Sequence, residues 1–406
     1  MLFFLLAGSD GANCHCVIGN AMPRRQLVRK IRNLLAVLAI IAILDAGFSS
    51  YCRSNCAFWN NAYPSTDHRV RSEACHHGLA PNLEIDEAWG MRRYTYATNS
   101  LGLKDSAPRT VSLRSDKRRM LFLGDSFTEG KGFPFEQSFV GLIAEEMERR
   151  GVEVLNGGVD SYAPAIYLRK ARHLIEDTGL KFNTVVVFLD VSDIYDQAVR
   201  YGYDDRGELI IEAVEEPSPP VAVYRYLRDR SAVVRTVSLA FDHLVFFGRY
   251  AKRRIKIAIS EDKAPWKVTP LEIWVDAVTN LKYAAWTHDD RRWHSYGEQG
   301  RRRAKAEMDK LAELLKHHGT RLILAVYPWP DQLFHDPEAP RHRGYWRQWS
   351  EARAIPFVDL FPAFTEGDPH QTLEDLFIHN DFHWNADGHR RVAEVFMASQ
   401  DRFVPF

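Results

Sequence analysis

Cysteine is scarce in this chain, with five in 406 residues. Two of them, Cys14 and Cys16, precede Met22-Pro23-Arg24-Arg25, which reads as a natural start. The remaining Cys52, Cys56 and Cys75 leave room for one disulfide and an odd thiol, with no pairing fixed. Zinc-ligand spacing is missing as well: His68, Cys75, His76 and His77 match no standard pattern, so no metal is expected. Charge of one sign is not in excess, since Lys+Arg and Asp+Glu are 53 each. That balance removes the basic field nucleic acid would need, and the acidic excess of a disordered chain. Gly124 to Gly132 bears glycines, but a P-loop requires Gly-Lys-Ser/Thr and here Lys131 is followed by Gly132. The dinucleotide-binding glycine spacing is absent too, as is any internal repeat. What is present is an ordinary globular composition, 46% hydrophobic and 26% charged. The length suits one large α/β domain with insertions, or two smaller domains.

Only one long apolar run occurs. Arg24, Arg25, Arg29, Lys30 and Arg32 precede Leu34 to Leu44, closed by Asp45 and extended by Ala46 to Phe48. The run is shorter than the ~20 residues of a comfortable span. A basic stretch before a short apolar one is the pattern of a signal peptide or signal anchor. No clean small-x-small cleavage site follows, so residues 1–50 are expected to form an extension and an uncleaved anchor. The basic flank should stay cytoplasmic, sending the chain after about Tyr51 to the far, periplasmic side. The competing reading is a buried amphipathic helix of a cytosolic domain.

Residues 51–117, with Pro64, Pro81 and Pro108 and scattered aromatics, are expected to be irregular and packed on the main domain. Then the texture changes. Met120-Leu-Phe-Leu is a short apolar strand ending at Gly124-Asp125-Ser126, followed by Phe139, Leu142, Ile143 and Met147 at helical spacing. Val152 to Leu155 reads as a second strand, and Pro164 suits the first turn of the next helix. Thr184 to Leu189 is a continuous β-branched, apolar run, as in a strand buried on both faces. Further strands are predicted at Arg321 to Tyr327 and Ile355 to Leu360, and a last helix from Ala386. This alternation predicts an α/β fold, a three-layer α/β/α sandwich with a parallel sheet of about five strands. Residues from about 201 to 303 interrupt it as an insertion. In that insertion Phe246, Phe247, Tyr250 and Arg253-Arg254 could touch a membrane surface, although a lid with an ordinary packed face is the simpler reading.

The chemistry centres on Gly124-Asp125-Ser126, where a strand hands over to a helix. A serine there stands at the carboxyl edge of the sheet, and the helix N-terminus offers N–H groups to a developing negative charge. A serine is inert without a base. Asn380-Asp381-Phe382-His383-Trp384-Asn385, between the last strand and last helix, can bring one to the same edge. His383 would take the serine proton and Asp381 would orient the imidazole. His389, deeper in the helix, is expected to be structural or exposed.

Gly124-Asp125-Ser126 and Asp381-Phe-His383-Trp-Asn resemble the first and last blocks of the SGNH/GDSL hydrolases. Asn156-Gly-Gly-Val-Asp-Ser-Tyr-Ala-Pro164 occupies the place of the second block, and Asp190-Val-Ser-Asp193 that of the third. Thr98-Asn-Ser-Leu-Gly-Leu-Lys-Asp105 resembles bacterial members that carry an N-terminal anchor. The resemblance covers about residues 98–200 and 303–400, and it implies an SGNH hydrolase-like domain over 118–406. The second-block glycine falls at Ser161 and the third-block asparagine at Ser192, so the implied oxyanion donors are the Ser126 and Ser161 N–H groups and the Ser192 hydroxyl. Losing one such donor typically costs ~2.7–4 kcal/mol of barrier lowering. The single residue between Asp381 and His383 resembles the polysaccharide O-acetyltransferase-related branch.

The resemblance implies a serine-dependent esterase or deacetylase acting on acyl groups of an envelope polysaccharide, without a cofactor. Its partners would be an ester or acylated glycan substrate and, through the N-terminal helix, a membrane; no nucleic acid is expected. Two alternatives stand beside it. One is a polysaccharide O-acyltransferase using the same triad. The other is a catalytically inactive SGNH-like glycan binder, with Trp329, Trp346 and Trp349 either stacking on sugars or packing in the core.

Overall fold

The structure, a computed structural model, describes residues 24–56, 59, 68–90, 92–204, 209–210, 218–279 and 281–403. Cys14, Cys16 and Met22 lie outside them. Chain contacts divide the protein into two compact units, Met1–Ala62 with Pro217–Phe241, and Tyr63–Glu216 with Asp242–Phe406.

The larger unit is built on a sheet. Strands β1 (Arg69–Ser72) and β2 (His76–Leu79) form an antiparallel pair of their own. β3 (Glu84–Trp89), β4 (Arg92–Thr98) and β5 (Lys104–Asp105) are followed by β6 (Arg118–Leu123) and α2 (Ser126–Glu129), with α1 reserved for the helix of the other unit. Next come α3 (Phe139–Arg149), β7 (Val152–Asn156), α4 (Pro164–Arg172) and β8 (Thr184–Leu189). After the insertion follow α8 (Glu298–His317), β9 (Arg321–Val326), β10 (Phe357–Asp359), α9 (Pro369–Leu376) and α10 (Ala386–Phe403). Among the described residues the main sheet has eight strands in the order β10-β9-β8-β6-β7-β5-β4-β3. The five from β10 to β7 are all parallel, as predicted. β8, Thr-Val-Val-Val-Phe-Leu, is buried along its whole length, which is why its sequence shows no alternation. On one face Phe139 of α3 and Phe396 of α10 meet Phe188 and Phe122 of the sheet, with ring centroids 4.5 Å (Phe139–Phe188) and 5.3 Å (Phe122–Phe396) apart. On the other face α4 packs with α8, burying Leu168, Ala171, Met308 and Leu311. Truncating a ring such as Phe122 to alanine in this setting costs about 3–5 kcal/mol.

The segment expected to be irregular is corrected here. Residues 69–105 form β1 to β5, and β5, β4 and β3 extend the parallel sheet antiparallel beyond β7. Their inward residues are largely polar, so the usual apolar alternation is missing, and they are satisfied by one another. The Tyr94 hydroxyl donates to Glu87 (2.6 Å) and that of Tyr96 to Glu129 (3.1 Å). The buried Lys104 ammonium donates to the carbonyls of Gly130 (3.0 Å) and Phe133 (2.7 Å). Burial, partly offset by Glu129 and Glu87, lowers that ammonium to about 8.

The smaller unit contains α1 (Arg24–Asn55) and α5 (Pro219–Arg230). The apolar run read from the sequence is the middle of α1. Its stretch Arg25–Arg53, 29 residues, is long and apolar enough to cross a membrane and is almost entirely exposed. At 1.5 Å per residue it measures ~44 Å. Cys52 and Cys56 near its end are paired, and Cys75 is a free, buried thiol. The insertion is helical, with α6 (Ala232–Ser260) and α7 (Pro270–Val278), the latter started by a capping box between Thr269 and Glu272.

Candidate active site

β6 ends at Leu123, and the chain reverses into α2 through Gly124 and Asp125. A Cβ at Gly124 would stand 2.0 Å from Thr128 Oγ1 and 3.1 Å from the Phe188 carbonyl, so only glycine allows this tight passage. Asp125 caps α2 by accepting from the Phe127 N–H at 3.0 Å. Ser126 is therefore the first residue of the helix, at the carboxyl edge of the sheet.

The opposing loop is held as rigidly. Phe377 and Trp384 pair across it, the Ile378 N–H donates to the His383 carbonyl (2.8 Å) and the Asp381 N–H to the Ile378 carbonyl (2.9 Å). Trp384 is fully buried against Phe127, with centroids 4.7 Å apart, which ties the loop to α2. Asn385 then caps α10 by accepting from the Gly388 N–H at 3.0 Å.

The two elements bring Ser126, His383 and Asp381 together across 257 residues. His383 Nε2 lies 2.9 Å from Ser126 Oγ, and His383 Nδ1 lies 2.6 Å from Asp381 Oδ1. Asp381 Oδ1 also accepts from the His383 N–H at 2.8 Å. An ionised Asp381 accepts a hydrogen bond from Nδ1–H, which leaves Nε2 as the acceptor facing the serine hydroxyl. Burial alone would raise the Asp381 carboxyl. The His383 charge and hydrogen bonds and the Trp89 donor outweigh it and hold the group at about 2. Ser126 Oγ is also 3.4 Å from Asp125 Oδ2, a longer contact than that to the imidazole.

Ser161 and Ser192 stand in the loops after β7 and β8, at the same sheet edge. Ser161 has φ +67°, the left-handed region that favours glycine, at the position where the family block carries glycine. Its loop is fastened from several sides. The Asp160 N–H donates to Glu129 Oε2 (2.6 Å), the Lys131 ammonium lies 3.3 Å from Asp160 Oδ2, and the Tyr201 hydroxyl donates to the Ser161 carbonyl. Glu129 is in turn gripped by both arms of Arg69 from β1. Burial would raise the Glu129 carboxyl, but Arg69, Lys131 and Lys104 hold it well below its ordinary range. The Ser192 N–H donates to Asp190, fixing the start of the third-block turn.

Beneath Ser126 lies a buried carboxyl group. The Tyr327 hydroxyl bridges Asp190 Oδ2 (2.6 Å) and Asp125 Oδ1 (3.1 Å), and Trp329 Nε1 donates to Asp190 Oδ2 at 2.8 Å. Burial, and then the neighbouring Asp190 and Asp193, push the Asp125 carboxyl well above its ordinary range.

The sequence reading missed two tryptophans. Trp89 at the end of β3 donates Nε1–H to Asp381 Oδ2 at 2.7 Å and sets its edge toward the His383 ring at 5.4 Å. Trp274 of α7 donates to the Asp381 carbonyl at 3.1 Å. Neither lies in a motif; the one available signal was an aromatic residue at a strand end. Trp329, Trp346 and Trp349 are core residues, 4% exposed or less. His389 is buried, its Nδ1 accepting from the Phe139 N–H at 3.2 Å, and burial lowers it to about 3, so it is a neutral structural group.

Fold and match support an ester hydrolase or acetyltransferase enzyme. Residues 286–402 match the family model described as the SGNH hydrolase-like domain of the acetyltransferase AlgX. This match bears out the resemblance to SGNH hydrolases and to their acetyltransferase branch. It includes Asp381 and His383 and leaves Ser126 outside. No curated protein matches the chain. Among solved structures it is similar to LAE5, an alpha/beta hydrolase from the metagenome of Lake Arreo (13% identity over 72% of this chain and 99% of that one, TM-score 0.37). It is also similar to the esterase EstA of Pseudoalteromonas sp. (10% identity, 70% and 98%, TM-score 0.36) and to the acetylxylan esterase Axe2 of Geobacillus stearothermophilus (13% identity, 70% and 94%, TM-score 0.35).

Proposed function

We propose that this protein is a serine-dependent ester hydrolase that removes acyl groups, acetyl in the first instance, from an envelope polysaccharide. The observation carrying the reading is the continuous relay from Ser126 Oγ through His383 to Asp381, with contacts of 2.9 and 2.6 Å. Ser126 Oγ attacks the ester carbonyl while His383 Nε2 takes its proton. The oxyanion so formed is held by the Ser126 and Ser161 N–H groups and the Ser192 hydroxyl. Collapse expels the sugar alkoxide, which His383 protonates, and leaves acyl-Ser126. Water, deprotonated by His383, then attacks the acyl carbon and releases the carboxylic acid and the free serine. Asp381 stays ionised throughout and compensates the imidazolium charge.

The glycan enters through the match to the AlgX domain, and the same match favours a second reading, in which a sugar hydroxyl replaces water and the product is a new acetyl ester. Burial of the three tryptophans removes one of the grounds for the inactive-binder alternative, the other being the serines at the second- and third-block positions. With α1 as an anchor and its basic end inside, the catalytic domain works on the periplasmic side. The test is hydrolysis of p-nitrophenyl acetate by the detergent-solubilised full chain beside Ser126→Ala, with a fluorophosphonate applied to both. Turnover and labelling confined to the parent support the reading. A folded parent that neither turns over nor labels overturns it. Transfer of acetyl from the nitrophenyl ester to an oligosaccharide, faster than its loss to water, moves the assignment to acetyltransferase.

A further inference from the structure

Helix α6 (Ala232–Ser260) carries a large apolar face that the described protein leaves uncovered. Val233, Val237, Phe241, Leu244, Ile255 and Ile259 are 50–77% exposed. Gly248 and Ala251 fill the gap in their three- and four-residue spacing, so these positions form one stripe along the helix. The helix already has a packed side: Arg235, Ser238 and Ile257 are buried there, and Ile257 joins Ala258, Val268, Ile273 and Tyr250 in a small apolar cluster. The stripe lies on a different side from Arg235, Ser238 and Ile257. The sequence had favoured a packed lid for this helix, and a packed lid would have buried it.

Two further observations say what covers the stripe. First, the start of α6 is capped by α1 itself. The Ala232 N–H donates to Ser49 Oγ (2.7 Å) and the Val233 N–H to Asp45 Oδ1 (3.0 Å), and Ala232 shares a small buried cluster with Cys52 and Trp59. Asp45 and Ser49 stand just beyond the apolar run of α1, where a spanning helix leaves the hydrocarbon. Second, the charge of α6 is of one sign. Arg235, Arg249, Lys252, Arg253, Arg254 and Lys256 face a single acid in the helix, Asp242. Arg253 and Lys256 both pair with Asp276 at 2.8 and 2.7 Å, and the remainder keeps the helix cationic. Trp266, 78% exposed just past the helix, is the residue type that settles at a headgroup boundary.

We propose that α6 is a second membrane element, an amphipathic helix lying in the headgroup region of an anionic bilayer with the Val233-to-Ile259 stripe toward the acyl chains. The inference rests on the reading of α1 as the anchor. It assigns to α6 the apolar stripe, cationic flanks and in-plane placement of an interfacial helix.

The test uses the full chain in vesicles of phosphatidylethanolamine and phosphatidylglycerol, with a photo-reactive benzoylphenylalanine placed singly at Leu244, Ile259, Arg249 or Leu38. All four positions are exposed, and circular dichroism checks that each variant is folded. Lipid adducts at Leu244 and Ile259 about tenfold or more above those at Arg249, on another face of the helix, are the expected result. Adducts at Leu38 without adducts on the stripe overturn the proposal and leave the anchor standing. Absence of lipid adducts at Leu38 and on the stripe removes the anchor reading and the proposal with it. Crosslinks from the stripe to a protein, in cell membranes, overturn it in favour of a docked partner.

Discussion

The clearest perturbation is Trp89→Phe. Phenylalanine keeps an aromatic ring near His383 and Lys131 but deletes the Nε1–H that reaches Asp381 Oδ2 at 2.7 Å. Asp381 is largely buried, its side chain 19% exposed, so the lost donor is only partly replaced by water. A hydrogen bond to a charged group of this kind is worth ~1.5–3 kcal/mol. Two consequences oppose each other. Without Trp89 the carboxylate bonds His383 more strongly, yet it is also free to turn away from Nδ1. Positioning should win, because Trp89 is the side-chain partner that occupies Oδ2. The expected result is a kcat lowered ~10- to 100-fold, from the same hydrogen-bond energy. A variant merely less stable would keep the parent's kcat in its folded fraction. The decisive assay is a double-mutant cycle with Asp381→Asn on p-nitrophenyl acetate. In the Asn background Trp89→Phe should cost little. Fully additive losses, or a kcat within twofold of the parent, would refute the positioning argument.

Three further outcomes follow from the geometry. Ser161→Gly relieves a positive φ while keeping the backbone donor, so thermal unfolding should show a protein between unchanged and ~1 kcal/mol more stable, with kcat retained; a large loss of kcat would mean the side chain itself takes part. Gly158→Ala would place a Cβ 2.6 Å from the Glu129 nitrogen and 2.7 Å from the Thr128 carbonyl carbon, pushing the second-block loop off α2. Denaturant unfolding should show a loss of ~1–3 kcal/mol or more, with activity falling further than stability. Asp196 is buried, and burial, only partly opposed by Arg200, raises its carboxyl from 3.8 to about 7. Between those values the folded state binds the extra proton, so stability falls as pH rises through this window. Asp196→Asn should flatten that slope in melting temperatures measured from pH 4 to 8.

The parallel half of the fold was legible because burial on both faces leaves an unmistakable trace. Thr184 to Leu189 is apolar at nearly every position, and the observed strand has those bounds. The N-terminal strands left no such trace. Glu87, Tyr94, Tyr96 and Lys104 point into a charged interior whose pairing partners, Glu129 and Lys131 among them, come from a separate stretch of chain. Pattern reading cannot see a satisfied polar core, because each residue looks solvent-loving until its partner is known. The candidate site divides the same way. Ser126, Asp381 and His383 sit in short motifs at predictable ends of elements, whereas Trp89 and Trp274 reach Asp381 from 292 and 107 residues away in sequence. The side of α6 that stays exposed was also hidden, since an apolar stripe reads alike whether protein or lipid covers it.

The spacing of the relay along the chain also bears on when the protein becomes active. Ser126 and His383 are 257 residues apart, and the loop bearing His383 follows every strand of the described sheet in the chain. Closing a contact of that length is entropically late, since nearer pairings form first and shorten the effective loop. On the proposed mechanism, a chain still folding would therefore carry a formed Ser126 turn and a nearly complete sheet while still unable to attack an ester. Esterase activity regained on refolding should trail the return of far-ultraviolet dichroism, and it would report arrival of the His383 loop rather than formation of the fold.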